Sequence, residues 1–265
     1  MMRYHIPIAA LLSLTLGAPG AMAKEGKPPR IVRVGLGAEI VPDHVGAEGT
    51  KWSPLVNFDL KREGKDFEFE APDESFGFGL IDVGGFEFGP SLALESTRRP
   101  SRFPVPVDKV KRTVEAGAFA QLYLAKSVRV RGELRRGLGG HDGWISHISA
   151  DFIARRGDDY VFSIGPRLSW ADDDYRQAYF GVSPAMAAAT GLAPFSPGGG
   201  ARGVGAATSL HYQLSKRVGI AAYGRYERLI DAAADSPLIR AYGSRSQMSA
   251  GLALNYTFRL SRRRD

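Results

Sequence analysis

Apolar and polar residues alternate with a period of two along most of the chain. In the stretch 31–40, Val32 and Val34 fall on one face of an extended segment, while Arg33 and Glu39 fall on the other. Because successive side chains of a β-strand point to opposite faces, this alternation predicts strands with one apolar and one polar face. Twelve such strands are predicted, near residues 31–41, 52–61, 66–71, 76–82, 86–95, 112–124, 127–136, 144–154, 159–170, 202–214, 217–229 and 246–258.

The connections between these strands fall into two sets that alternate along the chain. One set is uniformly short, at 62–65, 82–85, 125–126, 155–158 and 215–216. The other set is mostly long, at 42–51, 72–75, 96–111, 137–143, 171–201 and 230–245. Short turns opposite long loops, with an even number of bilayer-length strands, are typical of outer-membrane β-barrels. The sequence therefore predicts an all-β fold, a transmembrane antiparallel β-barrel of about twelve strands. The alternative is a soluble β-sandwich whose apolar faces pair into a core.

The predicted strand at 127–136 indicates which face would meet lipid. Val128 and Val130 alternate there with Arg129 and Arg131. A charge on the lipid face near the bilayer midplane costs roughly 2–4 kcal/mol, so the arginines belong in the interior. The same reasoning predicts the lumen-lining set Arg129, Arg131, Glu133, Arg135, Asp151, Arg167, Arg225 and Glu227. These charges suit either an anion-preferring pore or, as favoured here, a mostly filled interior in which they pair with each other.

The N-terminus has the features of a cleaved export signal. The apolar stretch 6–18 is too short to span a bilayer as a helix, and the small-x-small pattern "AMA" at 21–23 is typical of a cleavage site. We therefore expect a signal peptide over 1–23 and a single barrel domain over 24–265.

Charge and composition limit the possible binding partners of the protein and the chemistry that its side chains can perform. The formal net charge is +7, but export disfavours nucleic acid as the partner and favours anionic lipid head groups of the outer membrane or acidic glycans. The absence of cysteine excludes disulfides, a cysteine nucleophile and thiolate metal sites. No cofactor or metal is expected.

Four stretches resemble the MipA/OmpV family of MltA-interacting outer-membrane proteins. They are "VGLGAEIVPDHVGAEG" at 34–49, "LGGHDG" at 138–143, "LSWADDDYRQAYFGVSPAMAAATGL" at 168–192 and "DAAADSPLIRAYGSRSQMSAGLALNYTF" at 231–258. The resemblance implies a non-enzymatic scaffold in the cell outer membrane. It also implies periplasmic partners, a lytic transglycosylase and a murein synthase, which act on peptidoglycan.

Two histidine motifs leave an enzymatic alternative open. His147 and Ser149 share one strand face and are similar to the His-x-Ser pair of outer-membrane lipid A deacylases. Both would point into the lumen, away from acyl chains, so a polar lining is the favoured interpretation. His141-Asp142 lies between glycines, where a tight turn explains the same residues. His44 is expected to be solvent-exposed in its loop.

The acidic run Asp172, Asp173 and Asp174 is a weak candidate for metal binding or acid catalysis. Three adjacent carboxylates on one extended segment cannot converge on a single ion that needs six to eight oxygens. We expect this run to begin an outer-loop lid over the barrel mouth, with Tyr179 and Phe180 as its packing anchors. At the other end of the chain, "RLSRRRD" follows Phe258 and would place four arginines on the periplasmic side.

Overall fold

The computed structural model describes residues 28–260, so the expected signal peptide and the last five residues lie outside it. One antiparallel sheet contains all of the strands, in the order β2-β1-β12-β11-β10-β9-β8-β7-β6-β5-β3, with β4 also paired to β5. The strands are β1 Arg30–Pro42, β2 Thr50–Arg62, β3 Phe76–Gly77, β4 Ile81–Val83, β5 Phe86–Glu95, β6 Thr113–Ala125, β7 Val128–Leu138, β8 Trp144–Arg156, β9 Tyr160–Ala171, β10 Gly200–Gln213, β11 Val218–Leu229 and β12 Ser246–Leu260.

The sheet curls so that its first and last long strands meet. β1 pairs with β12 from Arg30↔Leu260 to Ile40↔Ala250. Within residues 28–260, β2 forms no ladder with β3, β4 or β5, which leaves a seam in the wall. Lys51 Nζ, at the outer end of β2, donates a hydrogen bond of 3.2 Å to Ser96 Oγ just after β5 and bridges the seam there.

The polarity of the sheet is reversed relative to a soluble protein. Outward side chains are apolar and exposed, as at Leu36 (67%) and Leu254 (62%), whereas Arg129 and Arg135 are completely buried on the inner face. Such a surface suits a hydrocarbon solvent around a polar interior. The predicted twelve-stranded transmembrane barrel is confirmed, and the soluble sandwich is wrong.

Helices are confined to the outer connections. They are α1 Asp173–Phe180, α2 Pro184–Thr190, α3 Asp231–Asp235 and α4 Pro237–Tyr242, with a short 3-10 turn at Pro100–Arg102. No helix among the described residues is both long and apolar enough to cross a membrane.

The predicted strand at 66–71 is wrong, and so is the outer loop at 72–75. Residues 66–75 form no strand and rise inside the barrel instead. Phe69 and Ala71 are buried against Ile153 on the inner face of β8. Apolar and polar residues do alternate in this segment, but its apolar side chains pack against the inner face of the barrel instead of facing lipid. The strand number is still twelve because the predicted strand 76–82 is split into β3 and β4.

A charge introduced on the outer face is expected to destabilise the barrel in a depth-dependent way. Leu134 lies near the middle of β7 and is 49% exposed. Leu134→Arg should lower the free energy of unfolding by about 2–4 kcal/mol in lipid vesicles. The control Leu214→Arg, in the turn after β10 where Leu214 is 57% exposed, should cost no more than about 1 kcal/mol. Equal costs in urea titrations would contradict this orientation of the wall.

Candidate functional site

The lower part of the interior is organised by two arginines that share one carboxylate. Asp151 accepts from Arg129 Nη2 at 2.9 Å and from Arg167 Nη2 at 2.8 Å. Each arginine has a second partner in residues 66–75, which we call the inner segment. Arg129 pairs with Glu74, and Arg167 Nε lies 2.8 Å from Asp73 Oδ2. The inner segment is therefore bound to the wall through two adjacent acidic residues, Asp73 and Glu74.

The network continues upward along β6 and β7. Arg131 pairs with Glu133 at 2.8 Å, and Arg135 lies between Glu133 and Glu115, with a distance of 3.0 Å between Arg135 Nε and Glu115 Oε2. All four side chains are less than a tenth exposed. Buried arginines of this kind are tolerated only because the carboxylates compensate their charge.

A third group of pairs closes the network on β10 and β11. Glu227 accepts from Arg202 Nη2 at 2.6 Å and from Arg225 Nη2 at 2.7 Å. Arg225 also lies 3.6 Å from Asp73. The complete network joins six arginines to six carboxylates, namely Arg129, Arg131, Arg135, Arg167, Arg202 and Arg225 with Asp73, Glu74, Glu115, Glu133, Asp151 and Glu227.

All eight residues predicted to line the lumen belong to this network, and four of its members were missed. Asp73 and Glu74 were missed because their segment was assigned to a strand and an outer loop. Glu115 could have been found, since it alternates with outward Val114 in β6. Arg202 could not, because the register of β10 shifts between Ala201 and Gly203 and turns its side chain inward.

The His147–Ser149 pair also lies on the inner face. Ser149 Oγ donates to the Arg131 backbone carbonyl at 3.5 Å, and the buried Nε2 of His147 has no partner within residues 28–260. The hydrogen bond that a base would need to activate the hydroxyl is not formed among these residues.

The outer mouth is covered by α1. Asp172 caps the helix, accepting from Tyr175 N at 3.0 Å and from Trp144 N at 2.8 Å. Asp173 and Asp174 are exposed in its first turn, where a carboxylate interacts favourably with the positive end of the helix dipole. No group of three or more His, Asp or Glu side chains within the described residues is arranged to hold a metal.

The aromatic side of α1 faces the barrel. Tyr175, Tyr179 and Phe180 are completely buried in one cluster with Ile145 and Leu229, which are inner residues at the outer ends of β8 and β11. We call α1 to α4 with this cluster the cap. The helices could have been predicted from Asp172 and from the Ser-Pro pairs at 183–184 and 236–237, because Ser and Asp favour the N-cap and Pro the first turn.

His141, predicted in a tight turn, and His44, predicted in an exposed loop, are both buried. His141 is 4% exposed, with Nε2 3.2 Å from Glu115 Oε1 and its ring stacked edge-on against Tyr175. Gly137 leaves the space for it, since a Cβ there would lie 2.1 Å from the imidazole. Asp142 alone fits the predicted turn, with a positive φ of 51°. His44, predicted to be exposed, is 7% exposed and packs on Phe103.

A family model described as MltA-interacting protein MipA matches residues 34–258. The chain belongs to the MipA family. A comparison with curated protein sequences gives no match. The predicted resemblance is confirmed, and with it the location in the outer membrane.

Solved structures similar to this MipA-family chain include porins and channels. The NanC porin is 10% identical, with a TM-score of 0.39 over 86% of this chain and 98% of that one. An outer-membrane channel from Pseudomonas putida is 9% identical, with a TM-score of 0.42 over 91% and 100%. The monoaromatic hydrocarbon channel CymD is 9% identical, with a TM-score of 0.37 over 90% of each chain.

Neutralising the carboxylate that two buried arginines share should destabilise this MipA-family barrel. Asp151→Asn keeps the shape but leaves Arg129 and Arg167 with one carboxylate each, so we expect a loss of about 3 kcal/mol in the free energy of unfolding. The control is Asp235→Asn, which removes a pair with Arg240 whose side chains are 59% and 58% exposed. That control should cost less than about 1 kcal/mol. Similar unfolding midpoints for the two variants would contradict a structural role of the network.

The outer loop that carries His44 should loosen on acidification. Burial, together with the charge of Arg98, lowers the pKa of His44 from 6.5 to about 4. The unfolded chain therefore takes up the proton first, and stability that is complete above 6.5 declines as the pH falls towards 4. Limited proteolysis of the outer loops should be faster at about pH 5 than at about pH 7, and the difference should shrink in His44→Gln. Equal cleavage rates at the two pH values would contradict this.

Proposed function

We propose that the protein is a scaffold that holds murein-remodelling enzymes at the periplasmic face of the outer membrane. The observation that carries the proposal is the family match over 34–258, whose description is an interaction with MltA. The partner implied by that description is a lytic transglycosylase, and a murein synthase would be the second enzyme held in place. The barrel would act as the anchor and its periplasmic rim as the docking surface.

The rim that faces the periplasm carries a ring of exposed basic residues. The turns there are short, so the docking surface is a shallow collar of side chains and contains no long loop. The exposed basic residues of this collar are Arg30, Arg62, Lys65, Lys126, Arg156, Lys216, Arg217 and Arg259. A collar of this charge favours a partner with an acidic face and speeds its encounter with the barrel.

Reversing three collar charges tests the docking surface. Lys126→Glu, Lys216→Glu and Arg217→Glu, combined in one variant, should weaken binding of a purified lytic transglycosylase about tenfold, since rim charges contribute roughly 0.5 kcal/mol each. The matched control reverses Arg99, Lys109 and Lys111 in the outer connection before β6, all exposed. Equal affinities of the two variants in a pull-down from detergent would contradict docking at the collar.

A deletion that tests the C-terminal arginines must leave β12 intact. The strand continues to Leu260, and Arg259 Nη2 lies 2.5 Å from Glu63 Oε2 at the rim. Removal of residues 259–265 would therefore damage the wall, whereas removal of 261–265 leaves every strand pair intact. If the tail contributes to docking, the shorter deletion should weaken enzyme capture while the barrel keeps its heat-modifiable band. Unchanged capture would show that the tail has no part in the scaffold role.

A further inference from the structure

A cavity of about 290 Å³ lies inside the barrel beside the inner segment. It is bounded by that segment on one side and by β3 to β7 on the other. Its lining residues Asp82, Gly85 and Tyr123 place it at the end of the barrel that carries the short turns. Glu68, Glu70 and Asp82 are exposed, so the cavity is open to solvent at that end. The volume approaches that of pockets which bind small molecules.

The lining of this cavity is strongly acidic. Five of its side chains are carboxylates, and Arg131 is the one cation in the part of the lining that the structure describes. Glu74 and Arg131 already belong to the ionic network. The other four carboxylates stand outside it, and Glu68, Asp82 and Glu87 form no ion pair within residues 28–260. The cavity therefore carries negative charge that these residues leave uncompensated.

Two of these carboxylates face each other across the sheet. Asp82 of β4 lies directly opposite Glu87 of β5 in the antiparallel ladder, and like charges in that position destabilise a sheet. Gln121 Nε2 donates to Glu87 Oε2 at 2.6 Å, which orients the carboxylate but adds no positive charge. On the inner segment, burial and the charges of Glu87 and Glu70 raise the pKa of Glu68. A cation in the cavity would stabilise the ionised form of all these groups.

Aromatic rings form much of the remaining wall, namely those of Phe69, Phe78, Phe119 and Tyr123. The face of such a ring attracts a cation, and Phe119 already binds one, since the guanidinium carbon of Arg131 lies 3.7 Å from its centroid. Carboxylates beside aromatic rings in a cavity of this volume fit an organic cation with an aliphatic chain. A metal ion fits less well, because no three acidic side chains among the described residues are arranged to hold one.

We propose that this cavity binds a short aliphatic diamine. One ammonium group lies between the facing carboxylates of Asp82 and Glu87, and the carbon chain packs against the aromatic rings. The second ammonium group lies beside Glu68 at the opening. This activity goes beyond the scaffold role and uses the interior instead of the collar. The charge of the cavity is opposite in sign to that of the collar, so the two surfaces recognise different ligands.

Titration calorimetry of the full-length barrel in detergent with 1,4-diaminobutane tests the site. At low ionic strength we expect saturable binding of one diamine per barrel. 1,4-Butanediol, which has the same chain length and no charge, should give no heat of binding. Displacement of the diamine by an equal concentration of magnesium chloride would show that the cavity recognises charge alone and would overturn the proposal.

Asp82→Asn with Glu87→Gln removes the facing charges and keeps the side-chain shapes. This variant should bind the diamine at least about tenfold more weakly, because hydrogen bonds to charged groups are the stronger ones. Without diamine it should resist urea at least as well as the wild-type protein, since like charges no longer face each other. The matched control, Asp173→Asn with Asp174→Asn, removes the same charge from exposed positions at the outer mouth and should bind as the wild type does.

The possible results separate a ligand site from a structural role. Equal affinities of the two double variants would overturn the site, and so would the absence of saturable binding to the wild-type protein. A lower stability of the Asp82→Asn, Glu87→Gln variant without diamine would show that the pair serves the fold, which would also overturn the proposal. The pull-down with the collar variants tests the scaffold role separately.

Discussion

The compensation of buried arginine charge is the constraint on which the rest of this structure depends. Lipid outside the wall disfavours charge on the outer face near the bilayer midplane, and a low-dielectric interior tolerates a guanidinium only beside a carboxylate. Arg129 and Arg135 are completely buried on the inner face of one strand, with Arg131 and Glu133 between them. Asp151 on β8 ties Arg129 of β7 to Arg167 of β9, and Glu115 on β6 pairs with Arg135 of β7, so the ion pairs join neighbouring strands.

The inner segment and the cap follow from that constraint in different ways. At mid-height the carboxylates of Asp73 and Glu74 pair with Arg167 and Arg129 of the wall. At the outer end Ile145 and Leu229 are apolar inner residues, and the aromatic side of α1 covers them. The chain itself therefore occupies the middle of the barrel, and the helices of the cap cover its outer mouth.

The two-residue alternation of apolar and polar side chains was sufficient to predict the long strands, because lipid favours an apolar outer face on every one of them. The long strands begin and end within a few residues of their predicted bounds, and the inward charges of β7 are where alternation places them. Alternation does not reveal which surface the apolar side of a segment contacts, so residues 66–71 were assigned to the wall and 72–75 to an outer loop. His44 is buried against Phe103 and His141 against Tyr175, residues distant in sequence, so no local pattern encodes their burial. The outer helices were overlooked although their capping residues were present.

The path of the inner segment is the claim that distinguishes this barrel from a simple twelve-stranded cylinder. Spin labels on single cysteines, placed one at a time across 66–75 and across β7 as a reference, would report collisions with oxygen dissolved in the bilayer. The structure predicts low oxygen accessibility at every position of the segment, beside strong alternation between outward and inward positions of β7. A period-two alternation across 66–71 that matches β7 would contradict it and return this segment to the lipid-facing wall.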